Sequence, residues 1–223
     1  MSTLQDNLRA VQSRISAACA DCGRDPSEVT LLAVSKIFPA DAVQEVAACG
    51  QQDFGENYIQ EGVDKITFLQ SDVNAKANPK TSLIWHCIGP IQSNKTKYVA
   101  EFFSWAHTVD RLKIAQRLND QRPVQLPPLN ICLQVNIDGG ATKSGIAPEE
   151  VLALANQVSQ LPRLVLRGLM TIPDPVEGFE AQVALHAQVR ALFDKVRAEL
   201  KLPNRSEERR VGKECRSRWS PYH

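Results

Sequence analysis

The stretch VTLLAVSK, residues 29–36, decides the reading of this chain: a short apolar run closed by Ser35 and Lys36. Turn signals bound it, with Gly23 and Pro26 before it and Pro39 after it. A run of this length between breakers suits a strand buried on both faces, as in a parallel sheet. Upstream, Leu4, Leu8, Val11 and Ile15 recur at helical spacing and predict an amphipathic first helix. Downstream, ADAVQEVAAC (residues 40–49) reads as a helix stopped by Gly50.

The alternation then repeats. DFGEN (53–57) reads as a strand and QEGVDKITFL (60–69) as a helix. LIWHCIG (83–89) is followed by helical NKTKYVAEFF (94–103), and WAHTV (105–109) by RLKIAQRLND (111–120). LNICLQVNI (129–137) precedes the helix PEEVLALANQVSQL (148–161). LVLRGLMTI (164–172) precedes a long helix marked by Leu185, Val189, Leu192, Val196 and Leu200. Six strand–helix units in strict order imply an α/β fold with a parallel sheet. Open doubly wound sheets and closed barrels share that pattern. The first strand ends AVSKIFP, without the glycine-rich fingerprint of a dinucleotide fold. The expectation is therefore a TIM-type (β/α)8 barrel, incomplete, with about six of its eight units present.

Composition narrows the class. Hydrophobic residues make up 43% and charged residues 23% of 223 residues, and the formal net charge is +1. That balance gives no strong pull toward nucleic acid or an anionic membrane. The apolar runs are of strand length, far below the roughly 20 residues that span a bilayer. The opening MSTLQDNLRAVQSRI is charged throughout and does not read as a signal peptide. Six scattered cysteines suit a reducing cytosol, so a cytoplasmic location is expected. Cys19 and Cys22 form a C-x-x-C, but no second pair or histidine cluster completes a zinc set. Two small residues near a helix end is the reading for that pair.

After Asn204 the chain changes character. RSEERRVGKECRSRWSPYH (205–223) carries six Arg or Lys against three Glu and almost no apolar periodicity. It resembles a common sequencing-library adapter translated in frame. The expected division is a truncated barrel domain at 1–204 and a non-native tail at 205–223, which is set aside in fold reasoning.

Polar clusters fall where the strands end. Lys36 closes the first strand, at the end where barrels place their sites; partial desolvation there frees an amine as a nucleophile toward an aldehyde. Glu56 and Asn57 close the second strand and are expected beside it. HCIGPIQSNK (86–95) supplies His86 and a tight turn at Gly89 and Pro90, with Ser93 or Asn94 able to cap the next helix. Asn136 and TKSG (142–145) follow the fifth strand, and GLMTIP (168–173) ends the sixth. Taken singly, each has an ordinary explanation in capping or turn chemistry.

AVSK, FGENYIQEGVDK, WHCIGPIQSNK, HTVDRLKIAQRLN, the KSG turn and RLVLRGLMTIP, in this order and spacing, resemble the pyridoxal 5'-phosphate (PLP) homeostasis proteins, which share a fold with the alanine racemase N-terminal domain. The resemblance runs from about residue 4 to residue 203. It departs at Ile37, where threonine is common, and at Ile91, where leucine is common. It implies PLP as cofactor, Lys36 as the Schiff-base lysine, Asn57 near the cofactor ring, and His86 and Met170 lining the same pocket. The family continues into a Ser-x-Gly-Met-Ser segment and an Arg-Ile-Gly-Thr strand that build the phosphate cup, and neither occurs here. What the resemblance implies is a non-catalytic, cytoplasmic PLP carrier whose partners are PLP and PLP-dependent apoenzymes, with no nucleic acid or membrane. The alternative is a PLP-dependent amino-acid racemase. Alanine racemases take one catalytic base, a tyrosine, from a second β-rich domain, and this chain has no counterpart to it.

Overall fold

The computed structural model describes residues 3–71, 83–140, 144–174 and 176–201. Its elements alternate as α1 (Leu4–Asp21), β1 (Ala33–Val34), α2 (Ala40–Ala48), β2 (Asp53–Glu56), α3 (Ile59–Gln70) and β3 (Ile84–Cys87). Then come α4 (Thr96–Phe102), β4 (Trp105–Val109), α5 (Leu112–Gln121), β5 (Leu129–Gln134), α6 (Val151–Ser159), β6 (Leu164–Met170) and α7 (Phe179–Leu200). The 205–223 tail and residues 142 and 143 of the TKSG turn lie outside the described residues.

The chain divides into two compact units. The first runs to Gly89 and includes Phe102–Ser104. In it β1 pairs with β2 and β2 with β3, both parallel and in chain order. Ala33 stands opposite Phe54, Val34 opposite Gly55, and Asp53 to Glu56 opposite Ile84 to Cys87. Phe54, Ile66, Trp85 and Cys87 are buried here, with the Phe54 and Trp85 rings 5.8 Å apart. The second unit takes Pro90–Glu101 and the chain from Trp105. There β4, β5 and β6 pair in parallel and in chain order, around buried Ile114, Leu118, Leu129, Ile131, Leu133 and Leu169. Strand burial is nearly continuous in β4 and β5, as strands covered on both faces require.

The first strand departs from expectation. Only Ala33 and Val34 of the 29–34 run form β1, and Val34 is 41% exposed. The reason is local. The Gln51 side-chain amide donates to the Leu31 carbonyl at 2.7 Å and to the Asp53 carbonyl at 2.8 Å. A side chain thus occupies the place of a ladder bond until β2 begins. The C-x-x-C does lie at a helix end: Cys19 is buried in α1, Cys22 caps it, and both are free thiols. Among the described residues no helix is long and apolar enough to cross a membrane, and no group of three His, Cys, Asp or Glu is arranged to hold a metal.

Candidate functional site: the strand ends around Lys36

The β1–β2 register ends at Val34 opposite Gly55. Lys36 and Ile37 follow in a turn closed by the Phe38 N–H donating to the Ser35 carbonyl at 3.1 Å, and Asn57 follows β2 directly. The Ser35 N–H confirms the alignment by donating to the Gly55 carbonyl at 3.0 Å. Side chains alternate across the strands. One face carries Ser35, Phe54 and Glu56 toward α3; the other carries Leu32, Val34, Gly55 and Asn57. A Cβ built on Gly55 would lie 3.4 Å from Leu32 Cγ and 3.0 Å from Ile88 Cδ1, which places those side chains on that second face. Gly55 is buried, and the space a side chain would take there is filled by Leu32 and Ile88.

Gly89 brings the next strand end close. A Cβ there would meet the Asn57 carbonyl oxygen at 2.0 Å and the Asn57 Cα at 2.8 Å. Only glycine permits this backbone approach. His86 is fully buried on β3, and its Nε2 lies 2.8 Å from Asp53 Oδ1. The ring is thus held by a carboxylate near the amino-terminal end of β2. Met170 belongs to the second unit, fully buried at the carboxyl end of β6. Lys36, Asn57 and His86 all lie in the first unit.

Glu56 is not at the mouth beside Lys36. It is fully buried under α3, and its Oε1 accepts the Ser35 hydroxyl at 2.6 Å and the Lys65 ammonium at 2.9 Å. Lys65 Nζ also donates to the Ser35 carbonyl and to Glu61 Oε1, both at 2.7 Å, so its three protons are all used. Glu61 Oε1 in turn accepts the Ile37 N–H at 2.8 Å. The two residues that flank Lys36 are thereby tied to β2 and α3. Gly62 makes this reach possible, since a Cβ there would lie 2.7 Å from Phe103 Cζ and 3.2 Å from Glu56 Cβ. Burial pushes the Glu56 carboxyl above its ordinary range, against the lowering effect of Ser35 and Lys65.

The turn itself is strained. Ile37 has φ 71° and is 82% exposed. A β-branched residue in the left-handed region costs about 1–3 kcal/mol and persists only where its surroundings hold it. Sequence reasoning missed Ser35, Glu61, Gly62 and Lys65. The spacing of Glu61 and Lys65 on either side of Gly62, one helical turn apart, was the available signal.

Known proteins resolve the family. Residues 2–209 match the family described as alanine racemase, N-terminal domain. The pyridoxal phosphate homeostasis protein of Pseudomonas aeruginosa is 55% identical over 193 residues, 86% of this chain and 80% of that protein. The chain belongs to the pyridoxal phosphate homeostasis protein family. The Escherichia coli K12 member is 52% identical, over 86% of this chain and 80% of its own length. PipY of Synechococcus elongatus, solved with PLP bound, superposes with a TM-score of 0.73 at 29% identity, covering 94% of this chain and 98% of PipY. Alanine racemase of Clostridium difficile superposes over 82% of this chain and 46% of its own at a TM-score of 0.61 and 15% identity, which shows the shared fold alone. The family accounts for the α/β architecture of TIM-barrel type and the alanine racemase N-terminal likeness that the sequence implied.

Proposed function

We propose that this member of the pyridoxal phosphate homeostasis family binds PLP covalently through Lys36 and serves the cellular economy of the cofactor without turning over a substrate. The observation that carries the reading is that Lys36 and Asn57 follow the carboxyl ends of two adjacent, paired parallel strands. The family name and the PLP-bound PipY support the choice of ligand.

The residues fit the cofactor chemically. When bound, PLP supplies an aldehyde carbon as electrophile. Lys36 would hold the group, its amine being the nucleophile that an aldehyde takes. The Asn57 side chain offers both a donor and an acceptor to polar substituents of a ring. Val34, 41% exposed two residues before Lys36, offers an apolar surface. His86, anchored by Asp53, is assigned to the pocket lining within the first unit. The reading without turnover is supported by the homeostasis name that its relatives carry. A cytoplasmic location and delivery of PLP to PLP-dependent apoenzymes complete the reading.

Titration of the protein with PLP, followed by incubation with L-alanine and chiral analysis, tests both halves. The expected result is a saturable visible absorption band with unchanged L-alanine. D-alanine formed at about 1 per second or faster would make the protein an enzyme; no saturable band would remove the PLP assignment.

A further inference from the structure

We propose that Glu61 is a positioning residue for Lys36, acting as the acceptor that locks the strained turn between β1 and α2; this rests on the reading of Lys36 as the PLP-binding lysine. Three observations converge. Ile37, next to Lys36, is held at φ 71° although its side chain is β-branched and lies almost wholly in solvent. No packing of that side chain fixes the conformation; the Phe38 N–H closes the turn onto the Ser35 carbonyl at 3.1 Å, and the Ile37 N–H is held from outside the turn by Glu61 Oε1 at 2.8 Å. On the other side of Lys36, the Ser35 carbonyl accepts from Lys65 Nζ at 2.7 Å, and the same Lys65 is bound to Glu61 at 2.7 Å and to buried Glu56 at 2.9 Å.

Glu61 therefore reaches both flanks of Lys36, one directly and one through Lys65. Released from it, Ile37 relaxes toward negative φ, which any β-branched residue prefers. A relaxed turn swings the Lys36 Cα–Cβ direction away from its place at the end of β1. The amine stays present, but the fraction of molecules with it in place falls, and apparent affinity falls by that fraction.

Two near-isosteric variants separate the acceptor from the packing. Glu61→Gln keeps an oxygen for the Ile37 N–H; Glu61→Met keeps the shape and removes the acceptor. The readouts are PLP affinity from the visible band, the amount of borohydride-fixed adduct on Lys36, and the melting temperature. E61Q is expected to stay within about threefold of the unaltered protein, and E61M to bind about tenfold more weakly, equivalent to ~1.4 kcal/mol. Adding Ile37→Gly to E61M is expected to recover most of the loss, because glycine holds a positive φ without strain. A merely structural role predicts no such recovery. E61M binding as tightly as the unaltered protein overturns the inference. So does a loss in E61M, by weak binding or failure to fold, that I37G leaves uncorrected. If the unaltered protein forms no adduct on Lys36, the underlying functional reading fails, and this inference with it.

Discussion

Gly89 has no room for a side chain. Its ideal Cβ would sit 2.0 Å from the Asn57 carbonyl oxygen, and a backbone atom cannot rotate away as a side-chain tip can. Gly89→Ala is therefore expected to destabilise the protein by about 3 kcal/mol, the upper end for overpacking, and to weaken PLP binding by displacing Asn57. Urea denaturation beside a PLP titration measures both; unchanged values in each would show that the two strand ends are not in this contact. Cys87 is the opposite kind of residue, chemically quiet. Burial pushes its thiol up to about 12, against a smaller lowering effect of the Gly89 backbone. Native protein treated with an alkylating reagent near pH 8 should label exposed Cys22 and spare Cys87 until it is unfolded. Mass spectrometry of the two peptides reads the result.

At the scale of elements, α3 docks on β2 through Gly62. Alanine there would gain about 1 kcal/mol of helix propensity and lose about 1–3 kcal/mol to overpacking against Phe103 and Glu56. Both neighbours are buried, so the packing loss wins, and Gly62→Ala should lower the urea midpoint. The buried carboxyl under α3 adds a pH dependence. The folded-state pKa of Glu56 is raised by burial, so its contribution is present below the ordinary value of 4.5 and is lost as pH climbs through the raised value. Relative to Glu56→Gln, the unaltered protein should lose stability as pH rises above 4.5; a difference independent of pH would show that Glu56 titrates normally. These elements also show where the sequence was legible. The strand and helix order was, because each βα unit carries its own period and its own breakers. The extent of β1 was not. Apolar residues mark burial, whereas a ladder requires a partner backbone, and at Leu31 the bond comes from the Gln51 side chain instead. Lys36 and Asn57 were visible as strand-end residues, but the Glu56–Lys65–Glu61 network was not. It depends on the close approach of α3, which the sequence records only as one glycine inside a helix.

For the whole molecule, the two compact units share one construction, parallel strands in chain order with helices between them. The family relationship explains why polar residues gather at the carboxyl ends of those strands, since that is where barrel folds place their sites. Family and fold alone do not assign chemistry to a residue. The central claim is that Lys36 is the residue that carries PLP. The most direct test is to saturate the protein with PLP, reduce it with borohydride, digest it, and map the modified lysine by mass spectrometry. The account predicts a single predominant adduct on Lys36, in the peptide that contains AVSK. Predominant modification of another lysine, or a scatter of adducts over surface lysines with Lys36 unmodified, would contradict it.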